Sequence, residues 1–314
     1  LMGNGAYDSF HWLYPPMYHK EGLWLDDFAP LTKEVHIPVK GPGKILRPEM
    51  ANEAIAEGKV TAVALGRALL ADPQWVNKAA EGKISDIRPC IGCNVGCIGR
   101  IFAGQTMLCA VNADLFNEAN EELIPTEKPK KIAVIGGGVG GMEAARIAAR
   151  RGHDVTIYEK GSRLGGLTLA ANVPNYKAAS RRLIDWFEHD LEKAGVKVEL
   201  YHNLTGEDIK NIDADAFIVS TGAHVKIPNL PGVDDKNVVT AVDVLLDKAE
   251  IGERVVVVGG GQVGCEVAYE LVRAGKQVSV VEYLDRLVSG GDGAVSAAIV
   301  LMLEDLLDYY KADI

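Results

Sequence analysis

The chain has no apolar run approaching the roughly 18 residues that a membrane-spanning helix needs. Its longest, such as RVVVVGGG from residue 254, are the size of a buried strand. It has no basic stripe either: net charge is −10 with acidic and basic residues interspersed. That leaves little to neutralise the phosphates of nucleic acid or an anionic membrane, so a small molecule is the expected partner. The opening LMGNGAYDSF lacks the charged and long apolar regions of a secretory leader. Cysteine is sparse, five in 314 residues, but four of the five fall between 90 and 109. A clustered, odd-numbered set in a chain of this size points to metal or redox use in a reducing compartment rather than to a disulfide framework, and hence to the cytoplasm.

What the chain does have is a core-forming composition, 48% hydrophobic, and enough length for about two or three domains. It also repeats itself. KIAVIGGGVGGMEAARIAARRGHDVTIYEK at 131–160 and RVVVVGGGQVGCEVAYELVRAGKQVSVVEY at 254–283 align without gaps at an offset of 123 residues. Each copy has a β-branched apolar run, a glycine turn, an amphipathic helix closed by Gly152 or Gly275, and a second apolar run ending in an acid. That is a β-α-β unit used twice. The glycines are spaced G-x-G-x-x-G: Gly136, Gly138 and Gly141, then Gly259, Gly261 and Gly264, with Glu159 and Glu282 closing the two units. The first glycine makes the tight turn, the second lets the backbone approach a pyrophosphate, and the third lets helix and strand pack closely. The acid then accepts a ribose hydroxyl.

Residues 34–88 read as two more strand–helix units, VHIPVKGPGKI with RPEMANEAIAEG and VTAVALGR with ALLADPQWVNKAAEG. Short buried strands alternating with amphipathic helices predict parallel β/α architecture. Gly43 with Lys44, and Gly66 with Arg67, fall at the two strand ends. There exposed backbone N–H groups and a bidentate guanidinium suit a phosphate. Next come the cysteines, Cys90-x2-Cys93-x3-Cys97-x11-Cys109. Three thiolates from one loop and a fourth from further along can cap a [4Fe–4S] cube, whose four irons each take one external ligand. Thiolates also suit zinc, although zinc knuckles are usually paired symmetrically. Cys265, inside the second fingerprint's helix, is set aside as a packing residue.

The first fingerprint, RLGGL at 163–167, the strand end STGA and the second fingerprint follow one another in an order that resembles the two-dinucleotide flavoprotein disulfide-reductase fold. The resemblance implies FAD at the first unit, with Arg163, Gly166 and Gly222 among its contacts, and NADH at the second, NADPH being disfavoured by Glu282. IPVKGPGKI, VALGRALLADP and IRPCIGCNVGC in succession resemble the C-terminal part of the Old Yellow Enzyme-like barrel in the NADH:flavin oxidoreductases that carry an iron–sulfur cluster. These include 2,4-dienoyl-CoA reductase, 2-enoate reductase, bile-acid flavin oxidoreductases and trimethylamine dehydrogenase. The resemblance implies an α/β chain in which 1–89 is the C-terminal part of an FMN-binding (β/α)8 barrel and 90–130 the iron–sulfur segment and linker. Two Rossmann-like domains follow, 131–225 for FAD and 226–314, incomplete, for NAD(P)H. By the same resemblance Cys90, Cys93, Cys97 and Cys109 hold [4Fe–4S], and Gly43, Lys44, Gly66 and Arg67 hold the FMN phosphate, Lys44 standing where the family often has arginine. Tyr7, in an aromatic stretch where related reductases carry a tyrosine or histidine, is the expected proton donor or substrate-orienting group. The first five barrel strands and the end of the nucleotide domains have no counterpart in these residues, the look of a piece of a longer polypeptide.

The implied activity is reduction of an activated C=C bond in an enoate, an enoyl- or dienoyl-CoA or a steroid-like enone, with electrons passing from NADH to FAD, [4Fe–4S] and FMN. One alternative is an amine oxidoreductase of the trimethylamine type, against which the intact second fingerprint argues. The other is a non-catalytic electron-transfer module.

Overall fold

A computed structural model of the chain describes residues 9–118, 123–289, 293–303 and 308–311. In the first part, strand β1 (Lys40–Gly41) pairs in parallel with β2 (Ala62–Val63). Both are shorter than their apolar runs. Pro38 and Pro42 flank β1 and cannot donate to a ladder. The helix Pro48–Ala56 starts on a proline and buries Ala51 and Ala54 in a core with Val39, Val60 and Trp75. The helix expected after β2 is two, Arg67–Ala71 and Trp75–Ala80. Pro73 turns the preceding residue out of the helical region. That residue, Asp72, is buried, and its carboxylate accepts from Gln74 N at 2.9 Å, Lys78 Nζ at 2.6 Å and Arg88 N at 2.9 Å.

The first repeat is β3 (Lys131–Ile135), the helix Val139–Arg150 and β4 (Asp154–Tyr158), extended by β5 (Lys197–Glu199) and β6 (Ala216–Val219) into a parallel sheet of order β5-β4-β3-β6. Its core joins Val134, Met142 and Ile157 to Leu183, Ile184 and Phe187 of the helix Ala178–Lys193. The second repeat is β7 (Arg254–Val258), the helix Gln262–Arg273 and β8 (Gln277–Glu282), with β9 (Asp308–Lys311) added in the order β7-β8-β9. Every described strand pair is parallel, so a helix must return the chain between partners. None of the described helices is long and apolar enough to cross a membrane.

The repeat runs further than its closing acids. Gly165 N donates to Gly137 O at 2.8 Å, and Val288 N donates to Gly260 O at 2.8 Å. A Cβ on Gly137 would lie 2.4 Å from Leu164, and one on Gly260 would lie 2.4 Å from Leu287. The leucine after each arginine therefore packs on its glycine loop in both units. Only the turn residue differs: the left-handed position held by Gly165 is occupied in the second copy by Val288, at φ 51°.

A tryptophan seats the cysteine-bearing segment on the first unit. The Trp186 ring has the Arg88 guanidinium 4.9 Å from its centroid and that of Arg146 at 5.7 Å, and its Nε1 donates to Asp86 O at 3.2 Å. Hydrogen bonds from Lys193 and His189 hold the Asp86 carboxyl below the usual carboxylate range. Trp186→Ala removes the ring that both guanidinium groups cover, and should cost roughly 3–5 kcal/mol of stability. Urea unfolding measures it; a loss under about 1 kcal/mol would mean that the segment docks by other contacts.

Candidate functional site

Two glycine loops meet helix N-termini in the same way. Gly138 and Gly261 precede the helices Val139–Arg150 and Gln262–Arg273, and neither helix start has a side-chain cap. The first-turn N–H groups are thus left for an anion. The third glycines are obligatory: a Cβ would lie 2.0 Å from Gly136 O at Gly141 and 1.9 Å from Gly259 O at Gly264. Each closing acid clamps its own loop. Glu159 accepts from Gly137 N and Gly161 N, both at 2.7 Å. Glu282 accepts from Gly260 N at 2.6 Å and Leu284 N at 2.8 Å. A carboxylate has about four acceptor sites, so each acid keeps capacity for a ribose hydroxyl. A side-chain-free loop, free helix donors and an adjacent carboxylate together have the chemistry that a dinucleotide's pyrophosphate and ribose require.

The first unit has further parts. Gly166, at φ 56°, lies so close that a Cβ on it would be 3.1 Å from Gly138 Cα, which brings RLGGL against the glycine loop. Arg163 faces Glu188 at 3.6 Å. Gly222, at φ 78° just beyond β6, stands in open space. Sequence reasoning missed Ser220, whose hydroxyl donates to Gly136 O at 2.8 Å and whose carbonyl would be 2.4 Å from a Cβ on Gly136. The signal was present in STGA. Among the described residues the second unit has no such neighbour, since none lies within 4 Å of a Cβ on Gly259 or Gly261.

Cys90, Cys93, Cys97 and Cys109 wall one cavity, together with Arg67 and Asn94. The loop reverses through Gly92 and Asn94, both at positive φ. The distant fourth cysteine arrives because Leu108 N donates to Gly96 O at 2.7 Å; a Cβ on Gly96 would lie 2.7 Å from Leu108 O, so only glycine fits there. Burial pushes the Cys93 thiol up to about 11 and raises Cys90 and Cys97, the Arg67 charge opposing the rise at the latter two. A metal binding there must displace those protons. Cys265 lies apart, fully buried, its Sγ 3.3 Å from Gly260 O.

At the first of the two strand ends the structure departs from expectation. Lys44 does not present its ammonium to a phosphate: all three donors are taken by backbone carbonyls, Pro16 at 2.9 Å, Met17 at 3.0 Å and His19 at 2.5 Å. Burial lowers its pKa to about 8. Gly43 is glycine for packing, because a Cβ on it would lie 2.9 Å from Trp24 N. Gly66 has open space around it, and Arg67 reaches the cysteine cavity. Tyr7 lies outside the described residues. His11 and His19 face each other, ring nitrogens 2.9 Å apart, as packing partners.

Residues 130–306 match the family model of the pyridine nucleotide-disulphide oxidoreductases. The chain is 41% identical over 310 residues, 99% of its length, to a cinnamate reductase of Clostridium sporogenes, and 41% identical over 286 residues to an NADH oxidase of Thermoanaerobacter brockii. It covers 46% of the first and 44% of the second, so it spans somewhat under half the length of these relatives. Among solved structures it resembles a 2-naphthoyl-CoA reductase complexed with 2-naphthoyl-CoA, with a TM-score of 0.90 at 29% identity, over 94% of this chain and 46% of that one.

Neighbouring glycines offer an internal control for the first loop. A Cβ at Gly140 meets nothing within 4 Å, so Gly140→Ala should leave FAD retention intact and gain up to about 1 kcal/mol of helix propensity. Gly141→Ala should abolish FAD retention on gel filtration. Equal retention in both would show that the third glycine is dispensable for the cradle.

Proposed function

The chain belongs to the pyridine nucleotide-disulphide oxidoreductase family, and from that premise we propose that the protein it represents is an NADH-dependent iron–sulfur flavoenzyme reducing an activated C=C bond. Its substrate class is an α,β-unsaturated acid, thioester or related enone. The observation that carries this reading is the sulfur-walled cavity at the joint between a β/α part and a doubled nucleotide-binding part. A single zinc needs its sulfurs at about 2.3 Å from one point. Here four thiols share a cavity, three from one loop and the fourth, Cys109, after eleven intervening residues, an asymmetric set unlike paired zinc knuckles. Four sulfurs around a larger body, one at each iron, suit [4Fe–4S] better.

On this reading the first loop, with Glu159, Gly166 and Gly222, holds FAD, and the second loop, with Glu282, holds NADH. The C-terminal part of a (β/α)8 barrel formed by residues 1–89 holds FMN through Gly66 and Arg67, which makes one hydrogen bond to protein groups among the described residues. When bound, these groups would supply hydride acceptance from NADH and one-electron passage between two flavins. The chain's own residues position them: the clamped acids orient the riboses, the helix N-termini neutralise the pyrophosphates, and the half-buried cysteines gather around one cavity. Tyr7 is the proposed proton donor or orienting group for the enoate. The reductase name of the cinnamate relative and the thioester in the naphthoyl-CoA complex support this substrate class. The complete second fingerprint favours a nicotinamide donor over an amine substrate.

The whole protein, purified without oxygen, should contain iron and acid-labile sulfide, and NADH should bleach its flavin until a cinnamate-type enoate restores the colour. Zinc without sulfide, or reduced flavin indifferent to every enoate tried, would overturn the reading. A second outcome concerns the nicotinamide. The Glu282 carboxylate should repel a 2′-phosphate, so NADH should exceed NADPH in kcat/KM by some thirty- to hundredfold, about 2–3 kcal/mol. Glu282→Ala should erase most of that ratio. An unmodified protein that prefers NADPH would mean that the exposed Arg286, four residues on, governs the choice.

A further inference from the structure

The cysteine loop is built against a positive charge. Asn94, between Cys93 and Cys97, is 1% exposed and sits at φ 59°. Its amide is used at both ends: Oδ1 accepts from Arg67 Nη1, and Nδ2 donates to Tyr14 O at 2.8 Å. Left-handed backbone is costly for most residues and easier for asparagine, and this turn brings Cys93 and Cys97 to the same cavity. Arg67 thus holds the turning residue while its own side chain lines the cavity with all four sulfurs. Among the described residues its one side-chain hydrogen bond is to a neutral amide, that of Asn94.

We propose that Arg67 is the electrostatic and positioning residue of the cysteine cavity: through Asn94 it holds the loop in its ligating shape, and its charge raises the reduction potential of the iron–sulfur group. The proposal rests on the iron–sulfur reading of the four cysteines. One-electron reduction adds negative charge to a body already ligated by four thiolates, and a fixed cation in a poorly solvated wall stabilises the more negative state preferentially. Hydrogen bonding and charge near the sulfurs are the protein's means of setting such potentials. The role is separable from any phosphate contact, since a guanidinium has five N–H donors and Asn94 takes one.

The test compares the unsubstituted chain, reconstituted without oxygen with ferrous iron and sulfide, with Arg67→Gln, Arg67→Lys and Asn94→Ala. Iron and sulfide per chain are assayed, and the midpoint is read by a dye-mediated dithionite titration followed by electron paramagnetic resonance. Arg67→Gln should shift the midpoint to lower potential, and Arg67→Lys, which keeps the charge, should restore most of it. Asn94→Ala should lower iron affinity roughly tenfold or more. An Arg67→Gln protein with full iron and an unshifted midpoint overturns the proposal, as does an Arg67→Lys protein shifted as far as the glutamine variant. Should Arg67→Gln lose its iron, Arg67→Lys decides alone, a midpoint near the unsubstituted value supporting the proposal and a lowered one overturning it. Zinc uptake without sulfide by the unsubstituted chain overturns the iron–sulfur reading itself, and it is seen before any variant is compared.

Discussion

The arrangement of the parts depends on one buried ion pair. Lys177 and Glu266 each have 9% of their side chains exposed and meet in direct contact. Lys177 ends the turn Asn175–Lys177 of the first nucleotide unit, and Glu266 lies on the helix that follows the second glycine loop. Removing one partner would strand a charge away from water at a cost of roughly 3–5 kcal/mol, and the pair bridges the two units. The N-terminal segment joins them: Tyr18 donates its hydroxyl to Glu266 Oε1 at 2.7 Å, and Gln262 donates to the same oxygen at 3.1 Å. Burial, then the Glu266 charge, raises the Tyr18 pKa and keeps it a donor.

Apolar packing surrounds this joint and extends it to the cysteines. Met17, Tyr18, Cys265, Val288 and Ile299 form one buried cluster, with Cys93 and Tyr176 against its edge. Cys90 packs instead against the core of residues 25–87. Adjacent cysteines of one loop therefore touch two different cores, which fixes the cavity at the boundary between the β/α part and the nucleotide-binding part. The Trp186 joint secures the same segment on its other side by stacking and by the Asp86 contacts.

The two glycine loops show how a local solution is reused and then adapted. In both, the closing acid accepts backbone N–H groups and the following leucine packs on the loop. Only the first has a strand-end serine behind its turn, because β6 lies beside β3 and the second sheet has no described equivalent on that side of β7. The same motif thus sits in two different walls.

What the sequence by itself determined was whatever is encoded over short separations. The glycine spacing, the acids that close each unit, and the grouping of four cysteines were all readable, since each is set by backbone geometry or ligand chemistry within a few tens of residues. The family membership followed from the order of those local signals. What only the tertiary structure decided was which polar groups meet. Lys44 reads as a phosphate ligand until three carbonyls of residues 16–19 are seen to take its donors. Asn94 reads as a spacer until Tyr14, 80 residues away, and Arg67 claim its amide. Glu266 is one acid among many along the chain until Lys177 and Tyr18 converge on it. A side chain's charge is written in the chain, but its partner is chosen by folding, because a buried polar group must be satisfied by whatever the fold brings within reach.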